Sequence, residues 1–319
     1  MTPAGNLAWP GHSVIREILR RRDHHVLGNS QEAKASAVKL ALVVEGGGMR
    51  GIYSGGVMVS MEELGLSGVF DNVYGESAGG PNCCYFLSGQ GKLGIRIYLE
   101  DLPSRKFVNP VRLGRMLDVD YVVDEVIAKI KPLDIERVLQ SPSDLFLSVT
   151  HALTGRPRLI DVKRDGVPLL TVLKASAAIV PLYNHYVWID GEPYVDGGIA
   201  NPIPITNAVE HGCTHILVLL TRPRDFVNQP LPWWHRAWVR RLGRRWTPAF
   251  QDVFYARHAS LYNRSRDLVF GCCALPPGIE IAFIAPRIDS PAMGRATVSK
   301  PTLHAALADA KRTALEVFT

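Results

Sequence analysis

Long hydrophobic runs are missing from this chain of 319 residues. Apolar stretches such as Leu40 to Val44 and Ile216 to Leu220 are five residues long, whereas a membrane-crossing helix needs about 20. The N-terminus also lacks the apolar centre of a signal peptide, because Ser13 to Arg22 carries four arginines. Cysteine is scarce and odd in number: there are five, four of them as the adjacent pairs Cys83-Cys84 and Cys272-Cys273, with no C-x-x-C. This argues against a disulfide framework and for free thiols in a reducing, cytoplasmic setting. No H-E-x-x-H occurs, and the adjacent His24-His25 lies in a polar extension, so neither a metal nor a cofactor is expected. Acidic residues are sparse in one place. Between Arg222 and Arg257 eight arginines face two acids, a local excess equal to the formal net charge of +6.

What is present is globular. A hydrophobic fraction of 47% and a charged fraction of 21% exclude a disordered chain. Residues 1–37 read as a polar N-terminal extension, with Val14, Ile15, Ile18 and Leu19 on one face of a short amphipathic helix and Arg16, Arg20 and Arg21 elsewhere. Residues 38–319 read as one domain. Leu40 to Val44 predicts a strand buried on both faces, and Ile52 to Leu64 a helix. A second strand is expected over Val69 to Tyr74, followed by a helix from Ala78 to Leu87. Strands are also predicted at Leu145 to Val149, Leu159 to Val162, Ile216 to Leu220 and Ile279 to Ile284, and a hairpin turns at Asp190-Gly191. Helices are predicted at Leu169 to Ile179, Ile205 to His211, Phe250 to Val269 and Thr302 to Phe318. This alternation points to a three-layer α/β/α fold with a mostly parallel central sheet.

Three motifs carry chemistry. Gly75-Glu76-Ser77-Ala78-Gly79 is a G-x-S-x-G between a predicted strand and a predicted helix. There a tight turn lifts the hydroxyl clear of the backbone, although the bare pattern is common and also describes an inert connection. Gly46-Gly47-Gly48-Met49-Arg50-Gly51 follows the first buried strand. Converging glycine amides suit either an oxyanion hole or a pyrophosphate cradle. The second use wants an acid about 20 residues on, and Asp71 has that spacing but precedes the serine turn. Asp196-Gly197-Gly198 closes the hairpin; such an Asp is usually a turn residue, and it stands 119 positions from Ser77.

In this order the three motifs resemble the patatin-like phospholipase family, most of all its bacterial stand-alone branch. Lys174-Ala-Ser-Ala-Ala178 and Asn201-Pro-Ile-Pro204 add to the likeness, which runs from about residue 38 to 222. Glu45 stands where many members have Asp, and Gly80-Pro81-Asn82 replaces an Ala-rich helix start. The resemblance implies a serine acyl hydrolase acting on a fatty-acyl ester through a Ser–Asp dyad. Ser77 would be the nucleophile, Asp196 the base, and Gly46, Gly47, Gly48, Met49, Arg50 and Gly51 the oxyanion loop. Gly75 and Gly79 would shape the elbow, and Gly197 and Gly198 the acid loop. A Ser-His-Asp triad is the rival, with His211 or His215 following Asp196 in the required order.

One stretch stands outside these motifs. Residues 223–248 read as an insertion or lid, and from Pro232 to Trp246 they hold tryptophans and arginines with no acid. Trp234, Trp238 and Leu242 share a helical face. A lid packing its tryptophans on the body fits this pattern. So does peripheral contact with an anionic membrane through Trp233, Trp234, Trp238, Arg236, Arg240 and Arg241. No nucleic-acid-binding module is present, so nucleic acid is not the expected partner.

Overall fold

Strand β1 (Leu40–Val44) contains only apolar residues, and all five are buried. Leu40, Leu42 and Val44 join one apolar layer, while Ala41 and Val43 join the other. Such a strand can be satisfied only in the middle of a covered sheet. A computed structural model, which describes residues 7–26, 37–112, 114–232 and 246–319, places it there. β1 pairs in parallel with β2 (Asn72–Glu76) on one side and with a later strand, His215–Leu219, on the other.

The remaining strands are β3 (Asp144–His151), β4 (Pro157–Asp161), β5 (Val187–Ile189), β6 (Glu192–Asp196), β7 (His215–Leu219) and β8 (Glu280–Ile284). The order is β5-β6-β3-β2-β1-β7-β8, with β4 also on β3. The stretch from β3 to β8 is parallel, and the β4, β5 and β6 pairings are antiparallel. From β1 the chain runs outward to β2 and β3 on one side and to β7 and β8 on the other. The crevice beyond the carboxyl ends of β1 and its neighbours is therefore the switch point where open α/β sheets bind ligands.

The helices are α1 (Ser13–Val26), α2 (Gly51–Glu63), α3 (Gly79–Leu87), α4 (Gly91–Arg96), α5 (Ile135–Gln140), α6 (Leu169–Ala177), α7 (Ile205–Glu210), α8 (Pro248–Asp252), α9 (His258–Val269) and α10 (Lys300–Phe318). A helical turn at Val253–Arg257 joins α8 to α9, and Tyr121–Ile130 is also helical. α2 follows the glycine loop, packs against α10 and is buried from Gly51 to Met61. The sequence pattern missed α4, α5 and the segment at Tyr121–Ile130.

One other detail differs from expectation. The second strand begins at Asn72, not at Val69, and runs through Glu76 to the residue before the serine. Asp71 caps its start: the carboxylate accepts from Leu40 N at 2.7 Å and from Arg21 Nη1 at 2.8 Å. Arg21 is fully buried and also donates to the carbonyls of Val69 and Val38. With Val14, Ile15 and Ile18 in the main apolar layer, α1 is part of the body. Residues 233–245, and with them the tryptophans and arginines named for membrane contact, lie outside the described residues. Trp246 beside them is buried against Phe250 and Phe254.

Candidate active site

β3 sets the geometry of the site. Its Ser148 pairs with Glu76 at the end of β2, and the next residue, Val149, pairs with Asp196 at the end of β6. The opposite edge of β3 is taken at both positions by β4, through Leu159 and Arg158. β2 and β6 therefore meet end to end along one edge of β3, pointing at each other. Ser77, which follows β2, and Asp196, the last residue of β6, arrive at the same place although 119 positions separate them in sequence.

Ser77 is a strained residue. Its φ is 49°, and among the described residues only Asp190, in the hairpin turn, shares that property without being glycine. Such a conformation costs about 1–3 kcal/mol and persists only where its surroundings hold it. Here the Ser77 amide donates to Ser176 Oγ at 2.9 Å, and Ser176 Oγ donates to the Ser148 carbonyl at 2.8 Å. The elbow is thus tied to β3 through a hydroxyl on α6.

Asp196 is held with equal care. Its amide donates to the Ala178 carbonyl at 3.1 Å, and its carbonyl accepts from Thr150 Oγ1 at 2.8 Å. Oδ1 accepts from Gly198 N at 2.8 Å. Oδ2 is buried and has no hydrogen-bond partner. The Ser77 hydroxyl is close enough to favour the ionised carboxylate, yet it does not close a full hydrogen bond. Such looseness is common in unliganded catalytic pairs. Burial, opposed by Ser77 and the Gly198 amide, pushes the Asp196 carboxyl up to about 6.

The glycine loop leaves β1 beside the elbow, since Val44 pairs with Gly75. Most of its amides are already engaged. Gly46 N donates to Glu76 Oε1 at 2.6 Å, Met49 N to the Arg295 carbonyl at 3.0 Å, Arg50 N to the Gly47 carbonyl at 3.3 Å, and Gly51 N to the Gly48 carbonyl. Among the described residues no acceptor meets the amides of Gly47 and Gly48, so these two alone of the six loop residues have backbone amides to offer. Gly47 has φ 142°, and a Cβ there would sit 2.5 Å from Arg50 Nη2. Arg50 thus backs the loop. Burial, then repulsion from Arg222 and Arg295, pulls its guanidinium down to about 9.

Two cavities meet at Ser77. One is apolar and runs past Pro81, Ile97, Leu102, Phe107, Val119 and Ile179. The other, of about 330 Å³, sets the charged side chains of Glu45, Glu76, Asp196, Arg50, Arg222 and Arg295 in a wall that is otherwise largely apolar, with Val180, Leu182 and Phe254. Asn228 to Leu231, the described start of the 223–248 stretch, also line it.

The rival readings separate here. His211 lies against Tyr74, whose hydroxyl is 2.9 Å from Nδ1, and His215 opens β7 opposite Leu40 at the far end of the sheet. Neither lines the site. Asp71, the acid required for a dinucleotide, is also at that far end, paired with Arg21. Among the histidines, His258 does line the charged cavity, but burial and the nearby Arg295 pull it down to about 4, so it is neutral near pH 7.

Five residues of the site escaped the sequence reading as functional groups: Glu76, Ser176, Arg222, His258 and Arg295. Glu76 and Ser176 sit inside quoted motifs, at positions read only as spacers. Glu76 is buried, and desolvation plus the charge of Asp196 raises its carboxyl well above the usual range. The other three carry no local signal. Among the described residues no cluster of three or more His, Cys, Asp or Glu could hold a metal ion, and no helix is long and apolar enough to cross a membrane.

The sequence model of the family described as Patatin-like phospholipase matches residues 42–209. The chain belongs to the patatin-like phospholipase family. The match takes in the glycine loop, Ser77 and Asp196, and the family is one of lipid acyl hydrolases. The chain is 30% identical over 212 residues to the uncharacterized protein YjjU of Escherichia coli (strain K12), covering 64% of this chain and 57% of that one. It thus spans little more than half the length of that relative. VipD from Legionella pneumophila, known from a crystal structure, has a similar fold. Its TM-score is 0.52 at 14% identity, over 89% of this chain and 67% of that chain.

Proposed function

We propose that the chain is a serine-dependent lipid acyl hydrolase working through an acyl-Ser77 intermediate. Ser77 Oγ attacks the ester carbonyl carbon as its proton passes to Asp196 Oδ2. The carbonyl π electrons move onto oxygen, and the resulting oxyanion sits on the Gly47 and Gly48 amides. Collapse of the tetrahedral intermediate breaks the bond to the alcohol oxygen, which leaves with the proton from Asp196. Water, deprotonated by the same carboxylate, then hydrolyses the acyl-serine. The observation that carries this reading is the buried, unpartnered Oδ2 of Asp196 beside a strained serine. A serine hydroxyl needs a base before it is a nucleophile, and a desolvated carboxylate is a stronger base than a solvated one. The apolar cavity opening at Ser77 suits an acyl chain.

The test is a panel of acyl esters on wild type, Ser77→Ala and Asp196→Asn. Both variants are expected to lose essentially all turnover while keeping the wild-type melting temperature. Ser77→Ala should also lose labelling by a fluorophosphonate. Near-normal rates from Asp196→Asn would remove Asp196 as the base.

A further inference from the structure

The loop between β8 and α10, residues 285–299, lies beyond the stretch that matches the family model, yet it is laid across the glycine loop. Gly48–Arg50 is the tight helical turn that leads into α2, and the first amides of a helical run have no carbonyl of their own to bind. The Arg295 carbonyl takes one of them, accepting from Met49 N at 3.0 Å. It comes so close that a Cβ on Gly48 would stand 2.5 Å from the same oxygen. Met49 is fully buried, so without this acceptor the glycine loop would have to rearrange to satisfy the amide. The contact therefore fixes the loop in the shape that leaves the Gly47 and Gly48 amides facing the site.

The 285–299 loop is itself tethered. At its start Tyr53 Oη of α2 donates to the Ala285 carbonyl at 2.9 Å. In its middle Ser290 Oγ donates to the carboxylate of Asp309 on α10, and Met293 packs on the main apolar layer. Asp309 is buried, and the exposed Arg312 meets its other oxygen at 2.5 Å. α10 packs against α2. The loop is thus pinned to the helix that continues from the glycine loop and to that helix's packing partner.

We propose that residues 285–299 are a positioning strap for the oxyanion hole, with Ser290 and Asp309 as the tether that sets the Arg295 carbonyl against the Met49 amide. The inference rests on the proposed acyl transfer at Ser77 and adds to it two positioning residues that never touch the ester. The strap shapes the glycine loop before substrate arrives, and donors fixed in advance are the ones that stabilise a developing oxyanion most. The apolar cavity takes its walls from elsewhere, so the strap acts on kcat and hardly on KM.

The experiment compares wild type with Ser290→Ala, Asp309→Ala and Arg312→Ala on a soluble short-chain ester. Ser290→Ala and Asp309→Ala should each lower kcat by about tenfold or more with KM little changed, a part of the roughly 10²–10³-fold loss that follows outright removal of an oxyanion donor. Ser290→Thr, which keeps the hydroxyl, should restore most of the rate. Arg312→Ala cuts only the exposed ion pair and should match wild type. A trifluoromethyl ketone, whose adduct with Ser77 places an oxyanion on the same amides, should bind the two tether variants more weakly by the factor lost from kcat. Hydrogen exchange at the Met49 amide should quicken in the same two variants, at a temperature where melting curves show them folded. Ser290 is half-buried, so its alanine variant decides the matter even if loss of the buried Asp309 unfolds the chain. Unchanged kcat and unchanged exchange in Ser290→Ala overturn the strap and leave the acyl hydrolase standing. So does a loss of kcat without loss of ketone affinity, since the tether then acts elsewhere than on the oxyanion. Absence of turnover by wild type, with no fluorophosphonate label on Ser77, brings down the acyl transfer and the strap's part in it together.

Discussion

Asp196 divides its work between two oxygens. Oδ1 is anchored by the Gly198 amide, and Oδ2 is left bare toward Ser77. Because burial holds the carboxyl up to about 6, the base is ionised only above that pH. Below it the proton acceptor is filled. We therefore expect kcat/KM to rise through about pH 6 and level off above it, and a profile flat from about pH 5 to pH 8 would count against Asp196. Glu76 is the second carboxyl at this point, and it faces Asp196, Glu45 and Arg295 while binding the Gly46 amide. Its raised value means that the folded chain keeps a proton the unfolded chain has lost, so this carboxyl lowers stability as pH rises from its ordinary range toward the folded value. Glu76→Gln keeps an acceptor for Gly46 and removes that dependence. Its melting temperature should fall less than that of wild type between pH 5 and pH 8. Glu76→Ala leaves the Gly46 amide buried and unpaired, which should cost about 1–3 kcal/mol, read by denaturant unfolding.

At the scale of elements, β3 acts as the template on which β2 and β6 meet. The contact is tight: a Cβ at Gly197 would collide with the Ser148 carbonyl oxygen. Gly197→Ala must push β6 off β3 and separate the base from the nucleophile, so soluble protein should be lost or activity should fall by orders of magnitude. Ser176 is the gentler probe. It touches the elbow but not the reacting atoms, and losing it strips the Ser77 amide of its acceptor. Ser176→Ala should lower kcat by about tenfold or more with KM little changed, and Ser176→Thr, which keeps the hydroxyl, should restore most of it. A matched change in KM would mean that Ser176 shapes binding instead. These elements were readable in sequence where the signal is local. The all-apolar β1, the Asp190-Gly191 hairpin and the strand–Gly–Ser–helix order each announce themselves within ten residues. The segment at Tyr121–Ile130 did not, because it packs against α6, a helix distant in sequence, rather than against a sheet strand next in sequence.

On the scale of the whole molecule, what the sequence could not show is what distant segments do to one another. The end-to-end meeting of β2 and β6 and the gathering of Arg50, Arg222 and Arg295 in one cavity are products of topology. The same holds for the fate of Asp71, whose spacing suits a nucleotide but whose partner, Arg21, arrives from the N-terminal helix. The arginine-rich stretch is the remaining large-scale feature. Its described flanks bracket the site: Leu231 lines the charged cavity, and Trp246 is buried with Val180 and Ile199, which also line it. The intervening residues hold Arg236, Arg240, Arg241, Arg244 and Arg245 with no acid. We propose that this charge draws the mouth of the site onto an anionic bilayer, where each basic residue near the surface contributes about 1 kcal/mol. Co-sedimentation with vesicles tests it. Wild type should pellet with vesicles rich in anionic lipid, less with neutral ones, and less again as salt shortens the Debye length from about 10 Å at 0.1 M. Replacing Arg240, Arg241, Arg244 and Arg245 by Gln should abolish the difference between the two vesicle types while leaving hydrolysis of a soluble short-chain ester in place. Equal, salt-insensitive binding to both would mean that the tryptophans, not the arginines, face the lipid. Failure to bind either would overturn the membrane proposal.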